Sequence, residues 1–330
     1  MADATTTPLP LSLVNRRGFL DLFYEPVSTN VHVKTAVHLH VLRVDGGNFA
    51  LPDLYRELSN AALGYVLSRR NLQQLRVGDM SRTVEVVNKV QSQFRRPDPN
   101  AGEGGEVLLY ALLEGHLGAP KVLSKMELKT APNHYVNGAD GVHLLSDADG
   151  TFQLIFGESK LYGDLKGEPR SSAPRAIRAA FKSIANVHEN GFRFDTWLVE
   201  SQLLKEVLDP EHLVMLERIL LPAAAGESAV SKTNAFGILI GFEIDAQSIA
   251  FEDLTTPQIE EALRDAAGQM VQENIGLISS EIKDRALGGY PFHIYAVPFL
   301  KTTVRGVQRG VESVRVDMVN ALRNDTGGEE

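Results

Sequence analysis

The sequence predicts an α/β protein in which a mixed central β-sheet is flanked by helices, with an N-terminal α/β elaboration. Three observations point there. Short runs rich in β-branched and aromatic residues alternate with longer stretches whose apolar residues recur every three or four positions. A β-meander pattern follows a glycine-approached helix near residue 106. A chain of 330 residues that is 43% hydrophobic and 23% charged is long enough to bury a substantial core, as one elaborated domain or two smaller ones.

From the start of the chain, Val31 to Val44 alternates and is rich in β-branched residues, which predicts a strand. Two helices follow, one with the apolar stripe Leu54, Leu58, Ala61, Ala62 and Tyr65, the other with Met80, Val84, Val87 and Phe94. Arg95-Arg96-Pro97-Asp98-Pro99-Asn100 then breaks the chain and closes an N-terminal region, residues 1–97, that is a candidate partner-binding region. Gly102-Glu103-Gly104-Gly105 leads into a helix from Glu106 to Gly115 that is apolar nearly all round and therefore buried. Strands are predicted over Lys125 to Lys129, Val142 to Leu145 and Phe152 to Phe156, with a turn at Ser146 to Gly150. A helix from Pro174 to His188 puts Ile177, Ala180, Phe181 and Ile184 on one face and Arg175, Arg178 and Lys182 on another stripe. A helix over Ser201 to Leu220, a strand over Ala235 to Ile244, a helix over Leu254 to Glu273 and a strand over His293 to Pro298 complete a core of residues 98–300. In the last region, residues 301–330, Val304, Val307, Val311, Val314, Met318 and Leu322 stand at helical spacing ahead of a polar tail.

Composition narrows the chemistry. There is no cysteine, which excludes disulfides, Cys-ligated zinc, iron–sulfur clusters and thiol nucleophiles. No apolar run approaches the length of a bilayer span, and Met1 to Leu13 lacks the basic-then-apolar pattern of a secretory signal, so a cytoplasmic protein without a membrane partner is expected. A net charge of −9 argues against a protein that coats nucleic acid through general basicity, while leaving room for acidic metal-binding clusters. No Walker A sequence, Gly-x-Ser-x-Gly elbow or dinucleotide fingerprint is present.

The informative segment is Phe156-Gly157-Glu158-Ser159-Lys160. A strand puts alternate residues on one face, so Glu158 and Lys160 project together from the end of an apolar run. Burying charge is costly unless it is paired or bound to metal, so this pair needs a reason to exist. Upstream, Asn137-Gly138-Ala139-Asp140 sets a carboxylate at the mouth of the preceding strand, and a hairpin brings Asp140 beside Glu158. Two carboxylates with an open coordination sphere suit Mg²⁺, with Mn²⁺ as a substitute, and that chemistry polarises phosphodiesters and activates water. Lys160 is placed to orient the nucleophile. Glu106 shares a helical face with Leu109, Tyr110 and Leu113 and points inward as a further candidate ligand.

The order helix with Glu106, strand with Asp140, strand with Glu158-x-Lys160, then a helix with a basic stripe resembles the PD-(D/E)XK nuclease superfamily, which implies a restriction-endonuclease-like core. More narrowly, Gly105 to Tyr110, Asn137 to His143, Phe156 to Tyr162 and Gly191 to Asp195 resemble the domain of unknown function 1837, the family that includes the HamA effectors of Hachiman antiphage defence. The resemblance implies a DNA-cutting nuclease controlled by a partner helicase, HamB, with metal on Asp140 and Glu158 and Lys160 as the catalytic lysine. Glu106 carries over less directly, because helical acidic ligands vary across the superfamily.

Each residue also has a plainer explanation. Gly-Ala-Asp-Gly is good turn chemistry, and a first-turn Glu106 is favoured by the helix dipole alone. Arg175, Arg178 and Lys182 fit a solvated helix face as well as a DNA-binding one. His38 and His40 share a strand face at a spacing that suits zinc, but His32 lies too far along to complete a site. The alternative to an endonuclease is a catalytically inactive nuclease-fold subunit that binds nucleic acid or senses it for a helicase.

Overall fold

A computed structural model describes residues 9–14, 17–77, 82–96, 98, 101–124, 126, 139–147, 149–190, 205–207, 209–221, 223, 229–246, 249, 254–304 and 306–325. After a 3-10 helix at Arg17–Leu22, the strands are β1 (Val27–His32), β2 (Thr35–Leu39), β3 (Val44–Asp45), β4 (Asn48–Phe49), β5 (Lys121–Ser124), β6 (Gly141–Ser146), β7 (Phe152–Leu161), β8 (Lys232–Asp245), β9 (Phe292–Val304) and β10 (Val307–Arg309). The helices are α1 (Leu51–Val66), α2 (Arg69–Val77), α3 (Thr83–Gln91), α4 (Glu103–Gly115), α5 (Ser172–Asn190), α6 (Pro210–Leu220), α7 (Thr256–Asp284) and α8 (Val311–Arg323).

The expected mixed sheet is present, in the order β1-β2-β9-β8-β7-β6-β5, with β10 paired to β9. Its middle, β2-β9-β8-β7, is parallel, and both ends are antiparallel. Parallel strands are covered on both faces. One face carries α4, with α1 and α8 packed behind it; the other carries α5 and α7. The helix with Glu106, the hairpin after Asp140, the strand with Glu158-x-Lys160 and the following helix occur in the order that the nuclease resemblance implied.

Several elements differ from the sequence expectation. Val31 to Val44 is not one strand: β1 turns back on β2 through Val33 and Lys34, pairing Val27 with Leu39. That turn contains neither glycine nor proline, so alternation runs through it unbroken. The later β3–β4 reversal is marked, because Gly46 and Gly47 both adopt left-handed φ, which a two-residue hairpin turn requires. α2 was not anticipated. Met80 lies outside the described residues, and the helix predicted around it is α3. β5 was not anticipated, and the strand expected over Lys125 to Lys129 lies, apart from Met126, outside the described residues. Residues 201–204 are also outside them; of the helix expected over Ser201 to Leu220, Lys205 and Glu206 are helical, and α6 begins afresh at Pro210, with Asp209 Oδ1 accepting from Glu211 N at 2.8 Å as its cap. Val304 and Val307 belong to β9 and β10 rather than to the last helix, since valines three or four apart satisfy a turn at Gly306 as readily as a helix.

Buried charges tie the pieces together. Arg69 is 6% exposed; its Nη1 donates to Glu206 Oε2 at 2.6 Å and to Lys121 O at 2.8 Å, and its Nε donates to Ser12 O at 2.8 Å. Its Nη2 stands 3.6 Å from Glu114 Oε1, an ion pair without a hydrogen bond. Glu114 also accepts from the backbone N–H groups of Val14 and Lys121. Near the C-terminal end of the central strand β8, buried Glu243 accepts from Asp164 N at 2.8 Å and from Val311 N at 2.7 Å, satisfying an unpaired donor at the start of α8.

His143 in β6 faces α4, with its Nδ1–H donating to Ala119 O at 2.8 Å. Burial pushes its pKa down to about 4. The unfolded chain therefore binds a proton that the folded chain refuses: stability is full above about pH 6.5 and falls as pH drops towards 4. At pH 5 this one group costs about 2 kcal/mol. Urea unfolding at pH 7 and pH 5 should show that loss in the native protein and a smaller one in His143→Asn; an equal loss in both would assign the acid sensitivity elsewhere.

Candidate active site

The β6–β7 hairpin pairs Gly141 with Gly157, and Asp140 N donates to Gly157 O at 2.8 Å. Asp140 is thereby set opposite Glu158 on the next rung. Gly157 and Ser159 face α4: a Cβ on Gly157 would meet Leu109 Cδ2 at 3.3 Å. Glu158 and Lys160 face the other way, toward α5, where the Ser183 hydroxyl donates to Glu158. Lys160 Nζ donates to Glu158 Oε1.

Both carboxylates are withdrawn from water, Glu158 at 4% exposure and Asp140 at 8%. Burial, with the Asp140 carboxylate beside it, raises Glu158 to about 7 even against the opposing Lys160 ammonium. Burial works against the charge on Lys160, but Glu158 outweighs it and raises the lysine above its usual value. Asp140 is oriented by Ser159, whose backbone N–H and hydroxyl donate to Oδ2 at 2.9 and 3.0 Å.

Glu106 is brought near Asp140 but not into a common cluster with Glu158. It lies in the first turn of α4, on the opposite side of the sheet from Glu158, with the preceding Gly105 pressed so close to β7 that a Cβ there would meet Leu161 Cδ1 at 2.7 Å. The Tyr65 hydroxyl donates to Glu106 Oε2 at 3.0 Å and lies 3.3 Å from the Asp140 carbonyl. Burial, then Glu106 and Asp140, drive the Tyr65 pKa up, so this hydroxyl holds its proton between them. Among the described residues, no three His, Cys, Asp or Glu side chains are arranged to hold a metal ion as they stand.

Of the basic stripe, Arg175 is already engaged. Its Nη1 donates to Gly163 O at 2.6 Å and its guanidinium lies over the Tyr162 ring at 4.9 Å. Arg178 and Lys182 are exposed on α5, and Lys182 adjoins the Ser183 that meets Glu158. Sequence reasoning missed Tyr65, Ser159 and Ser183. Ser159 was in view as the middle residue of Glu-x-Lys, whereas nothing local marks Tyr65 or Ser183, which arrive from other helices.

Residues 18–310 match the HamA family model. The chain belongs to the HamA family. Membership places it in the context of Hachiman-type antiphage defence, as the resemblance implied. The HamA match spans every strand of the sheet and all four residues Glu106, Asp140, Glu158 and Lys160, and it ends just before α8. No curated protein and no solved structure matches the chain. No described helix of this HamA protein is long and apolar enough to cross a membrane.

Proposed function

We propose that this HamA protein is a metal-dependent DNA endonuclease, acting as the effector of its defence system under the control of a HamB-like helicase. The observation that carries the reading is the buried pair Asp140 and Glu158, with Lys160 against Glu158, at the end of an apolar strand. Two hard oxygen donors forced together out of water repel one another, and a hard dication relieves that repulsion; the donor set fits Mg²⁺, with Mn²⁺ as a substitute. When bound, the metal supplies Lewis-acid polarisation of a phosphodiester and a nucleophilic water.

The chain's own residues divide the remaining work. Asp140 and Glu158 would hold the metal, Asp140 kept in place by Ser159 and Glu158 by Ser183. Lys160 positions the attacking water and offsets charge on the phosphoryl oxygens. Glu106 acts through Tyr65 on the Asp140 loop and so supports the site from the α4 side. Arg178 and Lys182 are the exposed cations best placed to meet neighbouring phosphates.

Purified protein incubated with supercoiled plasmid should nick it with Mg²⁺ and leave it intact with EDTA, alone or once the helicase partner and its trigger are present. Metal-independent DNA binding without cutting under both conditions would instead favour a catalytically inactive binding or sensor subunit.

A further inference from the structure

His38 of β2 and His40, just past its end, project to the α4 face, and the third imidazole that this segment lacks comes from another element. His116, immediately after α4, sits between them, its ring centroid 4.6 Å from His38 and 4.9 Å from His40. Tyr295 of β9 closes the group, 5.6 to 5.7 Å from all three rings. Four buried polar atoms in this small group have no hydrogen-bond partner among the described residues: both ring nitrogens of His40, Nδ1 of His116 and the Tyr295 hydroxyl. His40 is 1% exposed and Tyr295 is fully buried. Most buried polar atoms in native proteins are paired, so four unpaired ones at one point require an explanation, and a bound ion supplies one.

We propose that His38, His40 and His116 form a binding site for a borderline transition-metal dication of the Zn²⁺ type, separate from the candidate nuclease centre and structural in role. Neutral imidazoles are the ligands such ions prefer. Ser28 Oγ lies 2.8 Å from His38 Nδ1. With Nδ1–H donating to that hydroxyl, Nε2 is left with the lone pair a metal takes, the usual arrangement behind a ligating histidine. Three imidazoles about a tetrahedral zinc hold their ring centroids about 5 Å apart. The His116 spacings are already close to this. As they stand the rings meet edge to face, so ligation requires the half-exposed His116 ring to turn its nitrogen inward. Glu25, whose charge acts on His116, is a carboxylate available to complete or neutralise the set. The ion would clamp the end of α4 to β2, fixing the helix whose other end presses Gly105 and Glu106 against β7.

The test uses full-length protein carrying Glu158→Ala, which disables the nuclease centre as a competing metal site, stripped with chelator and titrated in excess Mg²⁺. Zn²⁺ should bind at one equivalent and raise the Tm, and Co²⁺ should give the intense visible bands of a tetrahedral nitrogen-ligated site. His38→Gln and His116→Gln, both at half-exposed positions, should each weaken Zn²⁺ at least ~100-fold and abolish the Co²⁺ bands while circular dichroism is unchanged. Failure of the parent to bind Zn²⁺ over Mg²⁺ would overturn the proposal. So would affinity unchanged by both histidine substitutions.

Discussion

Glu158→Gln and Lys160→Ala should each cut plasmid nicking by at least ~1,000-fold, the scale on which loss of a metal-holding carboxylate or of a group positioned on the nucleophile is felt. Neither should unfold the protein. Glu158 sits with its pKa near neutrality because burial and Asp140 oppose its charge, so a neutral glutamine of the same shape removes a repulsion rather than a support. Removing Lys160 leaves Glu158 free to take up a proton instead of standing as an uncompensated buried anion. The measurement is a paired one, nicking rate and Tm on the same preparations. A variant that keeps its Tm and still cuts at near-native rate would remove that residue from the chemistry. Loss of cutting together with a collapse in Tm would show that the pair is structural.

Arg69→Met should be the most destabilising single change among the described polar residues, costing about 3–5 kcal/mol in urea unfolding, because it leaves Glu206 and Glu114 in the interior without their guanidinium. Adding Glu206→Leu should recover part of that loss, since replacing both members of a buried pair with apolar groups is far milder than removing one. If Arg69→Met unfolds at native urea concentrations, the network is not a source of stability. The substitution lies away from Glu158 and Lys160, so any folded fraction should retain the native metal dependence of nicking.

Much of the fold was legible because it is periodic. The strand at Phe152, the near-continuously apolar α4 and the hydrophobic faces of α1 and α5 announce themselves over windows long enough for pattern to dominate. Boundaries failed where chemistry gave no punctuation: Val33 and Lys34 make a turn from residues that favour strands, and the valines at 304 and 307 imitate a helix. Of the candidate site, the juxtaposition of Asp140 with Glu158 followed from hairpin geometry, which is local. The position of Glu106 did not, because a helical wheel says which way a side chain faces but not which side of the sheet the helix occupies. His116 was invisible as a companion of His38 and His40 for the same reason: sequence separation hides what α4 carries back across β2.

The pairing of β2 with β9 also has a consequence in time. The hairpin that supplies β2 emerges from the ribosome early, yet the parallel neighbour that completes it is among the last segments made. At ordinary rates of synthesis, that edge waits on the order of ten seconds or more with its N–H and C=O groups unpaired. A chain released before residue 292 lacks β9 and so leaves both β2 and β8 with open, apolar borders, which invite pairing with other chains. Incomplete products are therefore substrates for chaperones and proteases, and only a finished polypeptide can close its sheet.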